Sequence, residues 1–215
     1  MGAAGVSIVA HKRFTPPYRI RTPRLMLRCW ETSDAPALIA AITTSLDHLR
    51  MWMPWAMQEP ESLEAKARRI ESFRSEFESG ESFLYGVFDP GEREVLGAVG
   101  AHGRIGAGAR EIGYWMRVDQ TGRGYATEAA GALTRIGFER EGLRRFEIHC
   151  DPQNLASAAV PRKLGFQHAV TISGCVKDQH TGPRDTAIWA LTSAMYPASA
   201  AATAGFEAAD CDRQS

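Results

Sequence analysis

Several features that define other classes of protein are missing from this chain of 215 residues. Lysine plus arginine and aspartate plus glutamate both number 25, so the formal net charge is zero. A neutral chain offers no overall field that attracts nucleic acid or an acidic membrane surface. No apolar run reaches the roughly 18 residues that a membrane-spanning helix needs. The sequence therefore predicts a protein that binds neither nucleic acid nor membrane.

Cysteine is also scarce, and no metal-ligand spacing is present. The four cysteines form no CxxC pair and no cysteine–histidine pattern; they are Cys29, Cys150, Cys175 and Cys211. This usage favours reduced thiols and a cytoplasmic location over disulfides or a structural metal. The six histidines form no ligand pattern either. We therefore expect no metal.

The apolar content, in contrast, is sufficient for one domain. Hydrophobic residues make up 44% of the chain, which fills one core well and two only marginally. We expect an extension at 1–20, one domain at 21–195 and a disordered tail at 196–215. Consecutive strands early in the chain and βαβ units late in it predict an α/β fold, with a mixed sheet and helices on both faces.

The most informative segment is a glycine-bearing loop at residues 119–127. A strand-like run ends just before it and a helix-like run begins just after it. Glycines at such a junction allow a sharp turn and gather N–H groups at the positive end of the helix. The loop therefore predicts an anion site. It lacks the Gly-Lys-Ser/Thr of a Walker site and the third glycine of a dinucleotide site.

Three motifs in this order resemble the GNAT acyl-CoA N-acyltransferases. They are Glu111-Ile-Gly-Tyr-Trp with the glycine loop, Asp151-Pro-Gln-Asn-Leu-Ala-Ser, and Lys163-Leu-Gly-Phe. The chain is most similar to the branch of ribosomal-protein N-terminal acetyltransferases (RimJ/RimL type), over about residues 20–195. The resemblance implies the GNAT fold, with six to seven strands and a splay between central strands, and acetyl-CoA as co-substrate.

The same resemblance implies how acetyl-CoA is held. Its pyrophosphate would bind backbone N–H groups of the loop, namely those of Gly122, Arg123, Gly124, Tyr125, Ala126 and Thr127. The family's loop usually opens with Arg or Gln, whereas Thr121 stands here, a departure that affects a side-chain contact and not the backbone site. The Arg123 side chain either adds charge near a phosphate or is solvated.

The pantetheine arm would then pair with exposed backbone at the splay, as an added strand does. The positions implied are Met116, Arg117 and Val118, and one N–H there would polarise the thioester carbonyl. Asn154 would cap the next helix and bond a pantetheine amide. Since Tyr114 and Trp115 point to opposite faces of their strand, we expect at most one of them to face the ligand.

Acetyl transfer requires a group that deprotonates the acceptor ammonium. The resemblance implies Glu111 for this role, directly or through a water; the alternative is a carboxylate that only orients the substrate. Glu128 is a competitor, but in a first helical turn it complements the helix dipole. His149 is a lone histidine on a strand, which we interpret as structural.

The leaving thiolate must also be protonated. Many superfamily members use a tyrosine seven residues after the motif asparagine, where this chain has Pro161. The ribosomal-type branch carries a serine three residues after it, which is Ser157 here. Its hydroxyl would bond the sulfur or relay a proton; the alternative is a helix-face hydroxyl without a catalytic role. Because Pro161 has no N–H, a bend or an unpaired carbonyl is expected at Ser157.

The sequence identifies the residues that bind the acceptor amine less clearly than those that bind acetyl-CoA. Trp52 and Trp55 lie where the family builds a wall of its acceptor groove, and ordinary core packing is an equal alternative. The resemblance implies an α-amine of a protein or peptide as acceptor, attacking the thioester directly. A small-molecule amine is the nearest alternative, and a CoA-binding sensor without catalysis is an alternative of another class. Homodimers are common in the family.

Overall fold

The computed structural model of the protein describes residues 16–178 and 182–209. The strands are β1 (Arg19–Arg21), β2 (Met26–Cys29), β3 (Ser82–Phe88), β4 (Val95–His102), β5 (Ala109–Met116), β6 (Arg145–Cys150), β7 (Gln167–Asp178), β8 (Gly182–Thr192) and β9 (Glu207–Ala209). The helices are α1 (Ala35–Thr44), α2 (Leu46–Trp52), α3 (Leu63–Ser79), α4 (Tyr125–Glu139) and α5 (Leu155–Leu164).

These strands form one mixed sheet in the order β7-β8-β6-β5-β4-β3-β2-β1-β9. Only β5 and β6 run parallel, joined through α4; the other neighbours are antiparallel. The predicted α/β class and mixed sheet are confirmed. The sheet is larger than the six to seven strands expected, because β1 and β9 add an edge. At three residues each, these two strands are too short for an alternating pattern to reveal.

Helices cover both faces of the sheet and create two cores. One core lies against α4 and α5 and includes Ile112 and Ile136. The other lies against α1 and α3 and includes Leu38 and Ile70. Because side chains alternate along a strand, β5 sends Ile112 to the first core and Trp115 to the second.

Local sequence explains the helix ends. The Ser62 hydroxyl accepts from the Ala65 N–H at 3.2 Å and caps α3, and Gly80 ends that helix in the left-handed region. Asn154 caps α5 in the same way, through the Ser157 N–H. Such caps satisfy N–H groups that have no partner inside the helix.

The expected disorder of the tail does not hold for residues 196–209. Short 3-10 turns at Tyr196–Ala198 and Ala200–Thr203 precede β9. The Tyr196 hydroxyl donates to Glu139 at 2.9 Å, and Ala201 is fully buried. Small alanine side chains permit this close packing, which composition alone does not reveal. Residues 1–15 of the predicted extension and 210–215 of the tail lie outside the described residues.

Three cysteines lie in the part of the chain that the structure describes. Cys29, Cys150 and Cys175 are free thiols, whereas Cys211 lies outside that part. Across residues 16–178 and 182–209, no group of three or more His, Cys, Asp or Glu side chains is arranged to hold a metal ion. No helix within those ranges has the length and apolar character needed to cross a membrane.

Candidate active site

The sheet opens at its centre, where β5 and β6 separate. Their pairing runs only from Ala109 to Ile112, while β5 stays paired with β4 as far as Met116. The next N–H, that of Arg117, still donates to β4 at 2.8 Å. Since successive residues of a strand direct their backbone groups to opposite sides, Tyr114 and Met116 direct theirs toward the gap that β6 leaves. The predicted splay is therefore present.

Two of the three backbone positions expected to pair with pantetheine are already bonded within the protein. The Arg117 N–H donates to β4, and the Val118 N–H donates to the Ser45 hydroxyl at 2.9 Å. The open edge of β5 therefore consists of Met116, as expected, and of Tyr114, whose backbone the sequence did not single out.

The glycine loop turns the chain from β5 into α4. Gly122 and Gly124 have φ angles of 75° and 81°, a left-handed region that residues with a Cβ rarely adopt. Gly124 is the N-cap of α4, and no side chain caps the N-terminal end of this helix. Among the described residues, no N–H from Gly122 to Thr127 has a hydrogen-bond acceptor. The loop thus offers unpaired donors at the positive end of a helix, which fits an anionic phosphate group.

An arginine from the N-terminal part of the domain supports this loop. Arg24 Nε donates to Glu128 at 2.7 Å, and its terminal nitrogen donates to the Arg123 carbonyl at 2.9 Å. Its guanidinium lies 4.9 Å from the centre of the Tyr125 ring. Glu128 also accepts from the Thr22 hydroxyl at 2.7 Å. Glu128 is therefore occupied in holding α4 to the N-terminal segment, and sequence spacing gave no sign of Arg24.

A cavity of about 680 Å³ occupies the splay. It brings together five residues that the sequence predicted for the site: Trp52, Trp55, Glu111, Asn154 and Ser157. The glycine loop does not line this cavity. It lies beyond the end of β5, after a single 3-10 turn at Val118–Gln120.

Tyr114 and Trp115 both line the cavity, and which of them faces a ligand stays a prediction. Their side chains do point to opposite faces: Tyr114 packs against the core under α4 and α5, and Trp115 against the core under α1 and α3. Because the separation of β5 from β6 opens the sheet itself, the cavity reaches both faces.

Pro161 has the local effect that its sequence position predicted. It leaves the Ser157 carbonyl without a helical N–H, and the Tyr114 phenol donates to this carbonyl at 2.9 Å. The phenol oxygen also lies 3.2 Å from Ser157 Oγ. Burial raises the pKa of Tyr114, with only partial compensation by Ser157, so the phenol keeps its proton. Tyr114 thus fixes both the carbonyl and the hydroxyl of Ser157.

Glu111 is buried beside an arginine that the sequence did not identify. Arg104 Nε donates to Glu111 Oε2 at 2.7 Å, and a second guanidinium nitrogen bonds Oε1. Burial raises the pKa of Glu111, but the Arg104 hydrogen bonds and the nearby positive groups outweigh it and hold the pKa below its usual range. Glu111 is therefore an ionised carboxylate at neutral pH.

Two histidines complete the polar floor of the cavity. His102 is the β4 neighbour of Glu111, and burial together with Arg104 lowers its pKa. His149, on β6, lies with Nδ1 3.5 Å from Glu111 Oε2 and with Nε2 2.7 Å from Glu147 Oε2. The interpretation of His149 as a lone structural histidine overlooked these neighbours. The only available signal was the spacing of Glu147 and His149, which places both on one face of a strand.

Aromatic side chains form the rim of the cavity. Trp52 is half-buried and Trp55 is 38% exposed, with its ring centre 6.2 Å from that of Trp115. Neither Trp52 nor Trp55 belongs to a buried core cluster. Met51 and Met57 extend the exposed apolar surface nearby. Both tryptophans therefore line the cavity outside the buried cores, and their role as a wall of the acceptor groove stays a prediction.

The fold and the loop agree with one known family. Residues 24–167 match the acetyltransferase (GNAT) domain, so the chain belongs to the GNAT acetyltransferases. It is an acetyl-CoA-dependent N-acetyltransferase, with acetyl-CoA as co-substrate.

Individual relatives agree with this assignment. The chain is 26% identical over 157 residues to the ribosomal protein uS5-alanine N-acetyltransferase of Escherichia coli, covering 71% of this chain and 79% of that protein. It is 25% identical over 173 residues to the uncharacterized N-acetyltransferase YoaA of Bacillus subtilis, covering 80% and 95%. Mycobacterium smegmatis RimJ in complex with CoA-disulfide aligns with a TM-score of 0.74 at 25% identity, covering 85% and 90%. The resemblance to the ribosomal-protein branch is confirmed.

Proposed function

We propose that this protein acetylates the α-amino group of a protein or peptide. The observation that carries the proposal is a cavity with an exposed aromatic rim at Trp55 and a buried carboxylate, Glu111, on its floor. An N-terminal ammonium would reach the carboxylate while the rest of the peptide leaves past the rim. The ribosomal-protein acceptor named for the Escherichia coli relative supports a protein acceptor here.

In this proposal acetyl-CoA enters the site from the side of α4. The pyrophosphate takes the unpaired N–H groups of Gly122–Thr127, with Arg123 beside it. Pantetheine follows the open edge of β5 at Tyr114 and Met116 as an added strand. Arg117 and Val118 contribute by fixing the end of that strand, since their N–H groups are bonded within the protein.

Asn154 has two roles in the proposal. Its side-chain oxygen caps α5 by accepting from the Ser157 N–H at 3.0 Å. Its side-chain N–H₂ group donates to no described residue and would bond a pantetheine carbonyl. The cap thereby fixes the direction of a donor at the gap between β5 and β6.

The chemical step is direct attack of the amine on the thioester carbonyl carbon. Glu111 holds the acceptor ammonium on the cavity floor, where the ammonium gives one proton to a base and so frees the lone pair that attacks. An N–H on the open edge of β5 donates to the developing oxyanion. The C–S bond breaks as the tetrahedral intermediate collapses. Ser157, fixed by Tyr114, gives its hydroxyl proton to the leaving sulfur and takes up the proton that the attacking nitrogen loses as it becomes an amide.

The test is acetylation of a mixed library of peptides and small amines, with mass spectrometry to locate the acetyl group. We expect acetylation of peptide α-amines, and none of matched peptides whose N-terminus is blocked while a lysine is free. Acetylation of small amines alone would replace the proposed acceptor class. CoA binding without turnover of any amine would favour the sensor alternative.

Two variants test the proposed residues. Glu111→Gln is expected to lower kcat/KM about 100-fold and Ser157→Ala about 10-fold, in the range of single catalytic groups. The CoA dissociation constant, measured by calorimetry, is expected to stay unchanged in both variants. Wild-type turnover in both variants would contradict the assigned roles.

A further inference from the structure

We propose that His149, held by Glu147, takes the proton of the acceptor ammonium, and that Glu111 binds this ammonium without being its final proton acceptor. The inference rests on the proposed function and assigns a catalytic role to a residue outside the motifs of the sequence. It follows from the strand register at the cavity floor, from the hydrogen bonds of His149 and from the occupation of Glu111 by Arg104.

Two glycines lie under the His102 ring on the cavity floor, close to Glu111. Gly100 and Gly113 are paired neighbours on β4 and β5, and both line the cavity. Glu111 lies two residues before Gly113 on the same strand face. The register pairs Glu111 with Glu147, which brings His149, two residues further along β6, to the level of Gly113. An amine that binds Glu111 Oε2 from the cavity therefore lies close to His149 Nδ1, which is 3.5 Å from that oxygen.

The hydrogen bond to Glu147 determines which nitrogen of His149 can act as a base. Glu147 Oε2 lies 2.7 Å from Nε2, and Glu147 also pairs with Arg145 at 3.1 Å, as a carboxylate does. A carboxylate only accepts hydrogen bonds, so Nε2 carries a hydrogen, and in the neutral ring Nδ1 then carries the lone pair. This lone pair adjoins Glu111 Oε2 at 3.5 Å. An ammonium with several N–H donors can satisfy both acceptors at once.

Glu111 is poorly suited to take the proton itself. Arg104 bonds both of its oxygens, and its carboxyl pKa is held below the usual range. Proton transfer from an ammonium to such a carboxylate is strongly uphill. Among the described residues His149 is paired with no arginine, and its Nδ1 adjoins the same oxygen of Glu111, so it is the better-placed proton acceptor.

The proposed step conserves charge and atoms. The N–H bond of the ammonium breaks, a bond from hydrogen to Nδ1 forms, and the freed lone pair attacks the thioester carbon. The imidazolium lies between two carboxylates, Glu111 and Glu147, which stabilise its charge. Other charged or titratable groups lie next to these two carboxylates. Arg104 bonds Glu111, His102 is the β4 neighbour of Glu111, and Arg145 pairs with Glu147.

The decisive experiment compares pH–rate profiles of wild type, His149→Gln and Glu147→Gln with an acceptor peptide. At pH 7 we expect His149→Gln to lower kcat/KM about 100- to 1000-fold, the range of a general base. The deficit should shrink as the pH rises, because solution then supplies neutral amine. The matched control is His168→Gln, since His168 is exposed on β7 and lies outside the cavity lining. A deficit that is the same at every pH, or no deficit, would overturn the proposal.

A second measurement does not depend on turnover. Nitrogen-15 spectra of the imidazoles of the wild-type protein report which nitrogen of each histidine carries the hydrogen, and His149→Gln identifies the His149 signals. We expect the Nε2–H form in wild type and its loss in Glu147→Gln. The Nδ1–H form would refute the assigned base even if acetylation is robust. If no amine is acetylated, the proposed function fails, while this spectrum still decides the state of His149.

Discussion

The proposed site has one half for the CoA donor and one half for the amine acceptor, and the two halves are built in different ways. The donor half is the backbone of one continuous segment, residues 119–127, placed at the start of α4. The acceptor half consists of side chains from separate elements: Trp52 from α2, His102 from β4, Glu111 from β5 and His149 from β6. A backbone site depends on chain conformation and tolerates many side chains, whereas a side-chain site changes with each substitution. One donor site can therefore serve different acceptors.

The halves meet on β5. This strand carries Glu111 on the acceptor face, and its open edge at Tyr114 and Met116 lies along the gap toward α5. Substitutions in the donor half should weaken CoA binding equally for every acceptor. Substitutions in the acceptor half should leave CoA affinity intact and change the rate or KM for the amine.

The largest effect on CoA binding is expected for Gly124→Val in the donor half. Valine at a φ of 81° costs on the order of 1–3 kcal/mol in backbone strain. Relief of this strain by rotation would also redirect the N–H donors of the loop. We expect CoA to bind about 10- to 100-fold more weakly, since each 1.4 kcal/mol is tenfold, as measured by calorimetry.

The matched control for this variant is Gly142→Val. Gly142 has a φ of 63°, and no heavy atom lies within 4 Å of the position that a Cβ would take there. It follows the C-terminal end of α4. Thermal unfolding should show a similar loss of stability in both variants. An equal loss of CoA affinity in both would mean that strain alone, and not the loop's donors, explains the effect.

A smaller effect is expected for Tyr114→Phe, which tests the join between the halves. The substitution removes the donor to the Ser157 carbonyl, and an unpaired buried carbonyl costs about 1–3 kcal/mol. We expect kcat to fall a few-fold, less than in Ser157→Ala, because Ser157 keeps its hydroxyl but loses its fixed orientation. CoA affinity should change little.

Tyr85→Phe provides the comparison for this variant. The Tyr85 phenol is fully buried and donates to the Pro17 carbonyl at 2.9 Å, away from the cavity. Urea unfolding should report a similar loss of stability for both phenylalanine variants. Reduced kcat in Tyr85→Phe as well would remove the special role of Tyr114.

The sequence predicted the fold and the local geometry of the glycine loop and of α5 better than the neighbours of Glu111, and the reason is physical. The glycine loop, the Asn154 cap and the effect of Pro161 on Ser157 all arise within a few residues of chain. The neighbours of Glu111 depend instead on strand register. Since β5 and β6 are joined through α4, no local pattern states that Glu147 lies opposite Glu111.

The sequence also did not predict the contact between Arg104 and Glu111 or the extent of the open edge of β5. Arg104 lies seven residues before Glu111, and only the return of the chain from β4 to β5 brings their side chains together. Of the three positions predicted for the open edge, Met116 lies on it and Arg117 and Val118 do not. The N–H groups of Arg117 and Val118 are bonded to β4 and to Ser45, which lie 21 and 73 positions away in the sequence, so no local pattern could reveal these bonds.

In the acceptor half, Trp55→Ala should raise KM for the peptide only a few-fold. The indole is 38% exposed on the rim, and partial burial of an aromatic side chain contributes about 1 kcal/mol. CoA affinity should be unchanged. Leu63→Ala is the control, since Leu63 is 53% exposed on α3 and outside the cavity lining. An equal KM for wild type and Trp55→Ala would move the peptide path away from this rim.

The smallest functional effect is expected for Glu141→Gln, because this residue belongs to neither half. Burial raises the pKa of Glu141 to about 9, and Arg110 at 3.8 Å offsets this only partly. The folded protein therefore binds this proton more tightly than the unfolded chain between about pH 4.5 and 9, so stability falls as the pH rises through that window. From pH 6 to 8.5 we expect wild type to lose about 1–3 kcal/mol relative to Glu141→Gln in urea unfolding. Catalysis by the two proteins should agree at every pH where both are folded, and parallel unfolding curves across the window would show that Glu141 is ionised in the fold.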